Sequence, residues 1–156
     1  GAHTAIKIAK ATSHQLILAG NIPETADNYA YYKEEIKPQI DNEQIVYTGP
    51  LNDAEKNKYL GRAKALLFPI EWDEPFGMVM IEAMACGTPV IAFRRGSVPE
   101  VVDNLLTGFI VNDAGEMAQK VPELGNIDRT TCRGIAAERF DVKAIARQYL
   151  NLFDAG

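Results

Sequence analysis

Short apolar runs alternate with amphipathic stretches along most of the 156 residues. Thr4 to Ala11 places Ile6, Ala9 and their neighbours at helical spacing, and His14 to Gly20 (HQLILAG) reads as a short strand closed by a glycine. Tyr29, Tyr32, Ile36 and Ile40 form a helical stripe that Pro38 weakens near its end. Gln44 to Thr48 (QIVYT) predicts a second strand, stopped by Gly49-Pro50. Asn52, with Glu55 three residues on, has the form of a capping box opening a helix through Leu60. Three more strands are predicted at Lys64 to Ile70 (KALLFPI), Pro89 to Phe93 (PVIAF) and Gly108 to Val111 (GFIV). A helix from Phe76 to Ala85, ended by Cys86-Gly87, lies between the first two of these. Further helices are predicted from Gly115 to Val121, ended by Pro122, and from Asp128 to Phe140. The last runs from Asp141, with Val142, Ile145, Ala146, Tyr149 and Phe153 on one face, to pack on the core or bridge to another domain.

This alternation predicts a single α/β domain over residues 1–156. Its fold is a Rossmann-like, doubly wound parallel sheet with helices on both faces, because each helix must cross over to the next strand. The strands are continuous apolar runs, as expected when both faces are covered. Such sheets bind ligands at the carboxyl ends of their strands, so the turns after Ala19, Thr48, Ile70 and Phe93 are the places to seek function.

Composition narrows the function classes. With 47% hydrophobic and 24% charged residues the chain is neither disordered nor a disulfide scaffold. Sixteen basic against 21 acidic residues give a net charge of −5, which offers no electrostatic footprint for nucleic acid and disfavours anionic membrane surfaces. Cys86 and Cys132 stand far from each other and from His3 and His14, so no zinc site is predicted and the thiols read as inert in a reducing compartment. No apolar run reaches the roughly 18–20 residues of a transmembrane helix and no signal peptide is visible; a cytoplasmic protein is expected. The chain starts at Gly1 rather than a methionine, which suggests a piece of something longer.

The turn after KALLFPI carries the chemistry. Glu71-Trp72-Asp73-Glu74-Pro75-Phe76-Gly77 sets three carboxylates at the mouth of the sheet, just before a helix whose N-terminus offers free N–H donors to an anion. Glu74 lies outside that helix and Glu82 about a turn and a half inside it, so both can reach one small molecule, and carboxylates suit sugar or ribose hydroxyls. The plainer alternatives are that Asp73 and Glu74 cap the helix and that Glu82 is a solvated face residue. Asp73 beside Glu74 also suggests a cation, but no third ligand is in evidence. Met78, Met80 and Met84 read as core, Trp72 as packed on the pocket rim, and Arg94-Arg95 as a solvated pair.

The string EPFGMVMIE from Glu74 to Glu82, continuing AMACGTPVIAF, closely resembles the E-x7-E signature of the family 4 glycosyltransferases, retaining enzymes of the GT-B class. The likeness extends through Gly96-Ser97-Val98-Pro99-Glu100 and Gly108 to Val111, and upstream through ILAGNIPE and IVYTGPLND. It implies that the chain is the C-terminal, donor-binding half of a two-domain enzyme. Glu74 would then be catalytic, contacting the donor sugar near its reaction centre, and the backbone N–H groups of Phe76, Gly77, Met78 and Val79 would face sugar and diphosphate. Glu82 would hold the ribose, and Gly49, Pro50 and Leu51 would line the base with Lys56 nearby. The implied reaction is retaining transfer from a nucleoside diphosphate sugar to an acceptor hydroxyl (sugar, lipid or small molecule), with no cofactor and no obligatory metal. The family's first strand, with the Arg and Lys that neutralise the diphosphate, would precede Gly1. Its acceptor site and catalytic histidine belong to an N-terminal domain, through which the enzyme could sit peripherally on a membrane, so the isolated piece is expected to be inactive. His3 and His14 do not take that histidine's role, and Ser97 stands where the family has a second glycine. Two other readings fit the residues: a noncatalytic Rossmann-like module for nucleotide or protein, and another GT-B enzyme such as a nucleotide-sugar epimerase. No G-x-G-x-x-G or P-loop pattern supports a dinucleotide or NTPase site.

Overall fold

A computed structural model describes residues 1–22 and 25–154. Pro23 and Glu24, the end of the ILAGNIPE stretch, lie outside the described residues. All strand pairings are parallel. β1 (Leu16–Ala19) pairs with β2 (Ile45–Gly49), and β3 (Leu66–Phe68), β4 (Val90–Phe93) and β5 (Gly108–Val111) pair in that order. The helices are α1 (Ala2–Ala11), α2 (Ala26–Tyr31), α3 (Asp53–Arg62), α4 (Met78–Ala85), α5 (Val98–Val101), α6 (Ala114–Lys120), α7 (Arg129–Phe140) and α8 (Val142–Asp154).

The expected order of strands and helices is therefore present, with two differences of arrangement. The sheet is in two parts, because among the described residues β1 makes no ladder with β3. α1 holds the parts together. It is apolar on opposite sides, so Ile6 and Ala9 pack with Ile45 over β1–β2, while Ile8 packs with Ile91, Phe109 and Met117 over β3–β4–β5. Side chains add cross-links: Lys64 Nζ lies 3.0 Å from His14 Nε2 at the amino ends of β3 and β1. The second difference is α5, a short helix opened by Pro99 that the sequence pattern did not reveal.

Several boundaries moved for local reasons. The stripe from Tyr29 to Ile40 is not one helix: α2 passes into a π-helical turn at Tyr32–Ile36 and a 3₁₀ turn at Lys37–Gln39, where Pro38 cannot donate. β3 stops at Phe68 because Pro69 has no N–H for a ladder. Val121 and Pro122 open a 3₁₀ turn rather than extend α6. Asp41 collects the N–H groups of Ile45, Glu43 and Gln44 at 2.8–2.9 Å, which sets the start of β2 and holds its carboxyl below the usual range. The capping box is present as predicted, with Asn52 Oδ1 accepting from Glu55 N–H at 3.0 Å and Glu55 Oε2 accepting from Asn52 N–H at 3.1 Å.

The main core joins Met80, Ala83 and Met84 of α4 to Val90, Ala92, Val98 and Val101, closed by Cys132 and Ala136 of α7. Burial pushes the Cys132 thiol up to about 11, so it is inert at neutral pH. α8 packs on neither core: Val142, Tyr149, Leu150, Leu152 and Phe153 are all exposed, Phe153 at 80%. No helix among the described residues is long and apolar enough to cross a membrane.

Candidate functional site

The acidic turn sits where predicted, between the carboxyl end of β3 and the start of α4. The helix starts at Met78, two residues later than expected. Gly77 is its N-cap in the left-handed conformation at φ +74°, and a β-carbon there would come within 2.5 Å of Met80 Cε. Phe76 and Gly77 thus belong to the turn. Among the described residues no side chain caps α4, so the N–H donors of Met78 and Val79 are left for a ligand or solvent, while Met80 N–H closes on Gly77 O at 3.0 Å. Gly77 N–H is engaged internally, donating to Glu74 Oε1 at 3.3 Å.

Glu74 is half-buried and held by its own backbone as well. Its N–H donates to Trp72 O at 3.0 Å, and its carbonyl accepts from Ser97 N–H at 2.9 Å. Glu71, Asp73, Pro75 and Phe76 are exposed, so the turn opens to solvent. Trp72 at 56% and Met78 at 59% exposure correct two expectations: the indole is not packed away, and the Met78 side chain is not core. The first turn of α4 points Met78 outward, while Met80 and Met84 face β4 and are fully buried as expected.

Glu82 faces α3. Its Oε1 lies 2.6 Å from Lys56 Nζ, which also reaches Asp53 Oδ1 at 3.2 Å. The Glu82 hydrogen bond, then that from Asp53, holds the Lys56 ammonium above its ordinary pKa. Two residues predicted separately are therefore brought together by α3–α4 packing. Gly49 ends β2, accepts from Gly20 N–H at 3.0 Å, and hands the chain to exposed Pro50 and half-buried Leu51. A cavity of about 260 Å³ opens at the carboxyl ends of β1 and β2, lined by Leu18, Gly20, Tyr31, Tyr32 and Tyr47 among others. A second, of about 240 Å³, lies between α4 and α7. Glu74 and Glu82, both half-buried, line neither of these cavities.

His3 connects the first cavity to the acidic turn, a relation the sequence did not show. Its Nδ1 lies 2.9 Å from the Tyr31 hydroxyl and its Nε2 3.5 Å from Glu71 Oε1. Arg94 and Arg95 are exposed and make no ion pair among the described residues. No group of three or more His, Cys, Asp or Glu side chains among the described residues is arranged to hold a metal.

Comparison with known proteins bears on the family and the fold. A 41.2 kDa protein in the cps region of Klebsiella pneumoniae is 34% identical over 123 residues, covering 74% of this chain and 34% of its own length. Sucrose-phosphate synthase of Thermosynechococcus elongatus is 28% identical and superposes with a TM-score of 0.80 over 99% of this chain and 42% of its own. Anabaena Alr3699/HepE, solved in complex with UDP-glucose, superposes at 0.80 with 22% identity over 100% of this chain and 45% of its own. The chain thus spans about a third to a half of the length of these proteins, and its parallel sheets with helices on both sides match the Rossmann-like part of the GT-B fold of the two solved structures. The model of the family described as glycosyl transferases group 1 matches residues 2–126, and the chain belongs to that family.

Proposed function

We propose that this chain is the donor-binding part of a retaining glycosyltransferase, which moves a hexosyl group from a nucleoside diphosphate sugar to an acceptor hydroxyl. The observation that carries the reading is the placement of Glu74 and Glu82 on either side of an uncapped helix start at the carboxyl end of a parallel strand. That placement suits a ligand with an anionic middle and hydroxyl-bearing ends. The diphosphate takes the N–H donors and positive end of α4. Glu82 exchanges its ammonium partner for the ribose hydroxyls, Lys56 remaining beside them, and Gly49 to Leu51 line the base. Glu74 takes the sugar hydroxyls and stabilises the positive charge that develops as the glycosyl–phosphate bond stretches, without forming a covalent bond itself. No metal is assigned; the helix donors meet part of the diphosphate charge, and the Arg and Lys that the resemblance places before Gly1 meet the rest. Acceptor binding and closure belong to a further domain, and this chain alone does not turn over.

The test is a titration of this chain with UDP-, GDP- and ADP-glucose followed by backbone amide shifts. Perturbation clustered on Phe76 to Glu82 supports the reading; silence with all three favours a noncatalytic module. In the full-length protein, Glu74→Gln and Glu82→Ala each lower kcat/KM by about 10²-fold, the scale of losing one preorganised electrostatic contact. Unchanged turnover in both ends the assignment.

A further inference from the structure

We infer that Gly96 and Ser97, on the turn after β4, are positioning residues for Glu74, fixing where its carboxylate meets the donor sugar; this rests on the donor-site reading above. Gly96 has φ +48°, and its α-carbon lies flat against the chain from Asp73 to Glu74. A β-carbon there would stand 2.6 Å from Glu74 N and 2.9 Å from Asp73 C, and would also strike Glu74 O. These are backbone atoms, so no rotamer change relieves the clash, and any side chain at position 96 must push the β4 turn and the Asp73–Glu74 backbone apart. Ser97 N–H donates to Glu74 O at 2.9 Å and so holds the next peptide, Glu74–Pro75, leaving both peptide units that flank the Glu74 α-carbon in contact with this turn. The turn is itself anchored. Arg94 N–H continues the β4–β5 ladder to Val111 O at 2.9 Å, Val98 N–H returns to Arg95 O at 3.0 Å, and Val98 is fully buried in the main core. The place of Glu74 is therefore set by β4 as well as by its own link from β3 to α4. Ser97 is helical at φ −73°, a conformation open to any L-residue, so the close approach needs a glycine only at position 96.

The experiment is a double-mutant cycle of Gly96→Ala and Glu74→Gln in this chain. Its readout is the affinity for whichever of UDP-, GDP- and ADP-glucose binds most tightly, relative to the matching nucleoside diphosphate. Gly96→Ala is expected to move the Gly77 and Ser97 amide signals while leaving Ile45 to Gly49 in place, and to lower the sugar-dependent part of the affinity about tenfold. In the Glu74→Gln background it costs no more than about twofold, because its effect runs through Glu74. Losses that simply add, or amide shifts without any change in affinity, overturn the positioning role. If Glu74→Gln itself changes nothing, the donor-site reading falls and this inference with it; if Glu74→Gln weakens sugar binding and Gly96→Ala does not, only the role assigned here is lost. Should Gly96→Ala fail to fold, Ser97→Pro takes its place in the same cycle, since it deletes the N–H at a φ proline accepts.

Discussion

Glu82 and Lys56 show how one side chain can be claimed twice. The carboxylate oxygen that a diol would approach is 2.6 Å from an ammonium that Asp53 also contacts, so a ligand must compete with Lys56 or share it. The pairing has a consequence measurable without any ligand. The Lys56 amine keeps its proton above the ordinary value of 10.5, and its partners favour the folded state while it is charged. That contribution is complete below pH 10.5 and is lost as the pH rises through the raised folded value. Following the Lys56 ε-CH₂ resonances by NMR, we expect a midpoint above 10.5 that moves down in Glu82→Gln. An unmoved midpoint would mean that the two side chains do not meet in solution. At Glu74 the side chain is held by the N-cap glycine of the following helix and the main chain by a turn from another strand.

At the scale of elements, α3 matters because it carries Lys56 to the site on a helix with no buried residue. Leu60 near its end packs against the main core, while its start is held by the Asn52–Glu55 capping box. Asn52→Ala is expected to cost about 1 kcal/mol, or about 3 °C in Tm by calorimetry, and to loosen Lys56. An unchanged Tm would show that α3 is held by its packing on α4 alone. The same capping box was legible in the sequence, as were the extent of α7 to within one residue and the core face of α4 at Met80 and Met84. Boundaries were legible to within a residue or two where a proline or cap sets them. They were not legible between Ala26 and Gln39, where a helical stripe of tyrosines and isoleucines passes through three different helical forms.

For the whole molecule, α1 and α8 are opposites. α1 is buried on two sides and joins the β1–β2 pair to the β3–β4–β5 sheet, contributing to two of the hydrophobic clusters. α8 has the more pronounced apolar face and leaves most of it uncovered, with Ile145 half-buried but Tyr149 62% and Phe153 80% exposed. A chain ending at Asp141 is therefore expected to melt within about 4 °C of the intact one, since little buried surface is lost. A larger fall would mean that α8 folds back onto the core in solution.

The sequence by itself determined the order of the strands and of the longer helices, the capping box of α3, the acidic turn and the family to which they belong. Those depend on periodicity and on partners a few residues away, which a linear pattern records. Only the tertiary structure decided that Lys56 meets Glu82, that the β4 turn seats Glu74, that His3 reaches Glu71, and that Met78 points outward while Met80 does not. Each of those depends on which surfaces of distant elements are buried against one another, and that is settled by packing the whole chain into a common core.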